Sequence, residues 1–213
     1  MKQRILFIGD SITDTGRIRE DPADLGKGYP LLLAGKLSVA YPASTFECIN
    51  RGISGNKILD LKHRWFEDCL SLQPDIVSIL IGINDTWHHV DAQKMFGSAK
   101  AAADFEKVYR EILDELHEAG IRKIVLLEPF VLPEPKDRFS WRVDLDQKIQ
   151  VVRKLAQEYQ TVFVSLDGFL NELGIRDGFS KYTGEDGVHP TITGHEVIAN
   201  RWLEAVISNH LLD

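Results

Sequence analysis

Cysteine is scarce. Two residues, Cys48 and Cys69, occur in 213 positions, and neither belongs to a Cys-x-x-Cys pair. A disulfide framework is excluded, and both thiols are expected to be reduced and buried, which points to a reducing, cytoplasmic setting. Positive charge is also short: 25 Lys and Arg face 32 Asp and Glu, for a formal net charge of −7. Phosphate backbones and anionic lipid surfaces need clustered cations, so neither nucleic acid nor a membrane is an expected partner. No apolar run approaches the roughly 18 residues that a bilayer requires. The start, "MKQRILFI", is basic and then apolar, but the apolar run stops too soon for a signal peptide. Repeats, low-complexity tracts and linkers are missing as well. A single domain over residues 1–213 is expected, able to bury roughly 70% of its chain surface without staples.

What is present alternates. Short apolar runs at residues 5–8, 46–49, 76–81, 124–127 and 162–166 are continuous in hydrophobicity, as strands covered on both faces are. Between them lie amphipathic stretches. "YPLLLAGKLSVA" carries Pro30 near its start, where a helix tolerates it. "KILDLKHRWFEDCLSL" places Ile58, Leu61, Trp65, Cys69 and Leu72 on one stripe. A long stretch opens on Ser98, a good N-cap, and closes on Gly120, a good terminator. "WRVDLDQKIQVVRKLAQEY" and "TITGHEVIANRWLEAVISNHLL" complete the set, and the proline-rich "EPFVLPEPKDRFS" reads as a loop. The order β-α repeated five times predicts an α/β fold: a three-layer α/β/α sandwich around a parallel sheet of about five strands. Ligands in such folds bind at the carboxyl ends of the strands.

That rule gathers a short set of residues. Gly9, Asp10 and Ser11 follow the first strand, "NRGISGN" the second, "GINDTWHH" the third, Glu128 the fourth and Asp167 the fifth. "GEDGVHPTITGH" precedes the last helix. Ser11, His189 and Asp186 are a candidate nucleophile, base and orienting carboxylate. The backbone N–H of Gly55, the side-chain amide of Asn84 and the N–H of Ser11 are candidate oxyanion donors. Ser11 and Asn84 have plainer readings, as a helix cap and a turn residue, and Gly52 reads as a turn glycine. Asp10 is expected to brace its turn rather than react, and Asp10 and Trp87 are candidates for the substrate-binding pocket. Asp85 reads as turn support, and Glu128 has no role that spacing assigns. His88, His89 and Asp91 lack metal-ligand spacing and read as a solvated loop or pocket rim, so no metal is expected. Trp65, Trp141 and Trp202 fit a core or an interface. His63, His117, His195 and His210 are expected on helix surfaces, and Arg17 and Arg19 meet a polar substrate or stay solvated. The elbow motif Gly-x-Ser-x-Gly is absent, because Thr13 stands where the second glycine belongs.

The blocks "GDSIT", "GISGN", "GIND" and "DGVHP", in this order over nearly the whole chain, resemble those of the SGNH or GDSL-type hydrolases. The resemblance implies Ser11 as nucleophile, Gly55 and Asn84 as oxyanion donors, Asp186 and His189 completing the triad, and no cofactor. Ile12 replaces the leucine of the signature. "FIGDSITDTGR", "NRGISGNKILDLKHRW", "IGINDTW" and "EPF" are most similar to bacterial intracellular carbohydrate acetylesterases of the acetylxylan-esterase type. That branch implies hydrolysis of acetyl esters on xylo-oligosaccharides and assembly into homo-oligomers. Lipases, lysophospholipases and thioesterases share the four blocks. A non-catalytic carbohydrate- or phosphate-binding module is the rival from another class, but a carbohydrate binder does not require Ser, Asp and His together, and a phosphate binder favours more glycine and a lysine where "GDSITD" has two carboxylates.

Overall fold

The computed structural model describes residues 2–212. Its first strand is longer than its apolar run: β1 spans Lys2–Gly9, because the parallel ladder continues past the hydrophobic residues. β2 (Thr45–Gly52), β3 (Ile76–Leu80), β4 (Lys123–Leu127) and β5 (Val162–Val164) complete a five-stranded parallel sheet in the order β2-β1-β3-β4-β5. The chain runs outward from β1 to β2 and then crosses back to β3. The order therefore reverses between β1 and β3, where the loops splay and leave a crevice. Gly9 stands level with Gly52 of β2 and Leu80 of β3, so three loops leave the sheet side by side.

Alternation along β1 feeds two cores. Ile5 and Phe7 pack with Leu33 and Leu37 of α2 (Tyr29–Ala40) and with Ile198 and Trp202 of α9 (Ile192–Ser208). Leu6 and Ile8 pack on the other face with Trp65 and with Tyr109 and Ile112 of α6 (Ala99–Glu118). Helix α7 (Arg142–Glu158) supplies Leu145 and Ile149 to the first core and Val152 and Leu155 to the second. Trp65, Trp141 and Trp202 are all buried, and the Trp202 indole donates to Ser78 Oγ at 3.0 Å. Ser98 caps α6 by accepting the N–H of Ala101, and Gly120 ends it in the left-handed region.

Four segments depart from the pattern. The stripe from Ile58 to Leu72 does not make one helix but α3 (Ile58–His63), α4 (Trp65–Asp68) and a 3-10 turn, Leu70–Leu72. It breaks at Arg64, whose guanidinium is held by the carbonyls of Gly9 and Arg51 and by Asn56 Oδ1. The stretch after β3 is not a loop: α5 (Ile83–Ala92) starts at once, turned by Gly82 at φ 132°, which only glycine adopts easily. Asp167 opens α8 (Asp167–Asp177), a helix that buries few apolar residues and lets Phe179 pack where Gly174 has no side chain. Part of the proline-rich loop coils into a 3-10 segment, Lys136–Trp141. Cys69 is buried and Cys48 half-buried, and both are free thiols. Among the described residues, no helix is long and apolar enough to cross a membrane.

Candidate active site

Gly9 ends β1 because nothing larger fits: a Cβ there would lie 2.1 Å from the Leu80 carbonyl oxygen of β3. The chain then turns into α1, the four residues Ser11–Asp14. Capping falls to Asp10, whose Oδ1 accepts the Ile12 N–H at 3.0 Å. Ser11 is thereby free of the cap, and its Oγ lies 2.9 Å from His189 Nε2. Nδ1 of the same ring is hydrogen-bonded to Asp186 Oδ2. The other carboxylate oxygen, Oδ1, accepts the N–H groups of Val188 and His189, at 2.9 Å each. One loop thus holds both acid–base groups, and three residues far apart in sequence form a continuous chain of contacts.

The electrostatics follow from those contacts. The Asp186 hydrogen bond raises the His189 pKa above its ordinary value; burial works against this, and the charges of Asp186 and Asp10 reinforce it. For Asp186 burial works upward, but the hydrogen bonds from the His189 ring, the His189 N–H and the Val188 N–H hold it well below the usual carboxylate range.

Asn50, Asp14 and Asp85 knit the neighbouring loops to this turn. Asn50 Nδ2 donates to the carbonyls of Thr13 and Leu25. Asp14 Oδ2 accepts the N–H and the hydroxyl of Ser54, each at 2.9 Å. Asp85, in the first turn of α5, accepts the Ile58 N–H that opens α3. Asn84 Nδ2 donates to the Asn56 carbonyl at 3.1 Å, which uses one of the two protons of its amide. Gly55 lies at φ 83° with open space around its missing Cβ, so its conformation, not crowding, calls for glycine. Gly52 is the crowded one, with Asp14 N only 2.3 Å from a would-be Cβ. Among the described residues, the N–H groups of Ser11 and Gly55 donate to no protein acceptor.

Several expectations are corrected. Asp10 has no exposed surface (0%), so it sits behind the turn and cannot touch a substrate. Its burial pushes its pKa up to about 7, against the Ile12 hydrogen bond and the positive side of His189. Asp85, buried likewise, is also pushed up to about 7. His195 is not on a helix surface: it faces inward from α9, Nδ1 accepts the Tyr29 N–H, and burial pulls its pKa down to about 4. Arg17 is neither solvated nor open to a substrate, because its guanidinium is buried against the Gly52 carbonyl. Arg19 pairs with Asp14. Glu128 gains a role: fully buried at the end of β4, it accepts the N–H groups of Leu166 and Asp167 and pairs with Arg153.

Trp87 remains half-exposed beside the site. Its ring lies 6.3 Å from that of His189 and 5.1 Å from the buried Trp141, edge to face. His88 points to solvent, whereas His89 Nδ1 faces Asp144, which also holds the buried Lys148. Among the described residues, no three His, Cys, Asp or Glu groups are placed to hold a metal. Sequence reasoning missed Arg64 and Arg138. Arg64 looked like one more helical residue and Arg138 like a loop charge, and neither spacing nor composition singles them out.

Against known proteins, the sequence profile of the GDSL-like lipase/acylhydrolase family matches residues 7–197. An acetylxylan esterase of Geobacillus stearothermophilus is 35% identical over 208 residues, covering 96% of this chain and 94% of that protein. A crystal structure of an acetylxylan esterase from that organism superposes with a TM-score of 0.85, at 35% identity and with 96% and 94% of the two chains covered. Solved structures of its catalytic mutants, with a serine, an aspartate or a histidine replaced by alanine, superpose with the same score of 0.85. An alpha/beta hydrolase from the metagenome of Lake Arreo, Spain, is 30% identical, with a TM-score of 0.83 and 95% and 94% of the chains covered.

Proposed function

The chain belongs to the GDSL-like lipase/acylhydrolase family and is a carboxylic ester hydrolase, and we propose that it removes acetyl groups from carbohydrates such as xylo-oligosaccharides. The observation that carries the mechanism is the 2.9 Å contact between Ser11 Oγ and His189 Nε2, backed by Asp186 on the far side of the ring. His189 takes the Ser11 proton as Oγ attacks the ester carbonyl. Asp186 fixes the imidazole in the tautomer that leaves Nε2 free to accept, and stabilises the imidazolium that results. The oxyanion is held by the N–H groups of Ser11 and Gly55 and by the second amide proton of Asn84. The first two have no protein acceptor among the described residues, and the third is free of the Asn56 contact. His189 then protonates the leaving alcohol. An acetyl group remains on Ser11 until water, deprotonated by the same histidine, releases acetate and restores the hydroxyl.

The acetyl-carbohydrate reading rests on the 35% identity to an acetylxylan esterase across 96% of the chain. The half-exposed Trp87 beside His189 supports it, since a sugar ring can lie on such a face. Comparing kcat/KM on acetylated xylo-oligosaccharides with that on aryl esters of two to twelve acyl carbons tests it. The acetylated sugar is expected to lead and the aryl series to fall with chain length; a peak at long chains would assign a lipase instead. A reducing, cytoplasmic setting is proposed from the two free thiols, and secretion in an active form would contradict it. Self-association is proposed from the exposed Leu31, Val39 and Ile207 on α2 and α9, and a purely monomeric sedimentation profile would set it aside.

A further inference from the structure

The loop that carries Asp186 and His189 rests on the segment after β4. The Gly187 carbonyl accepts the Leu132 N–H at 2.9 Å. A Cβ at Gly187 would lie 2.5 Å from the carbonyl oxygens of both Leu132 and Glu134, so the two backbones are in direct contact. Above that contact stands Arg138. Its Nε donates to the Asp186 carbonyl at 2.8 Å. Its guanidinium lies 4.2 Å from the Trp141 ring centre and 5.4 Å from that of Trp87. Trp87 in turn neighbours the His189 ring. One side chain therefore grips the backbone of the orienting carboxylate and, through a stacked aromatic, the wall beside the base.

We propose that Arg138 is a positioning residue for ester hydrolysis: it fixes the height at which Asp186 presents its carboxylate to His189, and holds Trp87 against the same imidazole. The side chain is mostly covered (13% exposed) and acts through Asp186 and Trp87 rather than on the ester. A planar guanidinium suits the task, because its faces stack while its edge still donates. Lysine keeps the charge but supplies neither the plane nor the Nε–H.

The inference rests on the esterase reading, so the test includes wild-type turnover. The variants are R138M, which keeps length and apolar stem, and R138K, with kcat expressed per folded molecule from the amplitude of thermal unfolding. On a short aryl acetate, R138M is expected to lower kcat about tenfold or more, since misplacement by about 1 Å costs up to 10²-fold. KM is expected to stay within about twofold. The acid limb of kcat/KM should move to lower pH as the Asp186 contact slackens. The other groups facing His189 are Asp10 from the end of β1, His195 from α9 and Trp87 from α5. The two titratable ones are not altered, and R138K keeps the cation that R138M removes, so a downward shift in R138K reports Asp186. R138K should fall between R138M and wild type, and it decides the matter alone if R138M does not fold. A kcat within about twofold of wild type with an unmoved limb overturns the assignment. So does a loss confined to KM, which would make Arg138 a substrate contact. Wild-type protein without turnover refutes the esterase reading as well, whereas active wild type beside unchanged variants refutes the positioning role alone.

Discussion

Replacing Gly52 by alanine puts the new methyl group against the helix that carries Ser11. Its Cβ would stand 2.3 Å from Asp14 N, 2.7 Å from Thr13 C and 2.8 Å from Asp14 Cα. Ordinary carbon contacts begin near ~3.5 Å, so α1 must retreat by about 1 Å. The obstacle is backbone, not the end of a flexible side chain, and no rotamer relieves it. Retreat also pulls on the Asn50 bonds to Thr13 and Gly52, and on the Arg17 bond to the Gly52 carbonyl. Overpacking of this kind costs about 1–3 kcal/mol. For a chain of this length that lowers Tm by roughly 2 to 12 °C. Because Ser11 moves with α1, kcat should drop by up to about 10²-fold in the molecules that remain folded. Gly55→Ala is the control for stability alone, since Gly55 is an oxyanion donor: its Cβ meets nothing, but φ 83° disfavours a side chain, at about 1–2 kcal/mol. Thermal melts check both variants, and kcat on an aryl acetate checks Gly52→Ala. A Gly52→Ala protein with wild-type Tm and kcat would refute the reasoning.

Two further outcomes follow from the titrating groups. His189 must be neutral to accept a proton, and its pKa is raised by Asp186, so kcat/KM should climb with pH through a midpoint above 6.5. A flat profile from about pH 5 to 8 would contradict that assignment. Asp10 is a carboxyl whose folded pKa, about 7, lies above its unfolded 3.8. The folded state then binds the extra proton, so this group costs stability as pH rises from about 4 to 7, by at most about 4 kcal/mol. Asp10→Asn keeps an acceptor for the Ile12 N–H and removes the charge. Its Tm relative to wild type should therefore improve steadily between pH 4 and pH 8, and a constant difference across that range would defeat the argument.

The parallel sheet was legible because its strands are short, continuous apolar runs, and a β-α order permits few arrangements. Ser11, Gly55, Asn84, Asp186 and His189 emerged as candidates through the rule that loops gather at strand ends, together with four recurring blocks. Helices were less legible where a tertiary contact overrode periodicity, as at Arg64, or where the helix turned few apolar residues inward, as in α5 and α8. Asp10 was legible as the brace of its turn but not as a buried group. Its cap to Ile12 N is local and readable, whereas the burial beneath Ser11 that removes it from the pocket comes from the tertiary fold. His195 shows the converse, since nothing in "TGHEV" tells that Gly28 has no side chain and leaves room for the imidazole, 2.9 Å from where a Cβ would stand. Arg138 was hidden because its partners, Asp186 and Trp87, lie 48 residues after it in one case and in a different element in the other.

The most direct test of the central claim is kcat of Ser11→Ala on a short-chain aryl acetate, with the fold checked by its thermal transition. The account predicts a fall on the order of 10⁴-fold or more with Tm little changed, because only the attacking oxygen is lost. A residual kcat within about tenfold of wild type would mean that Ser11 is not the nucleophile.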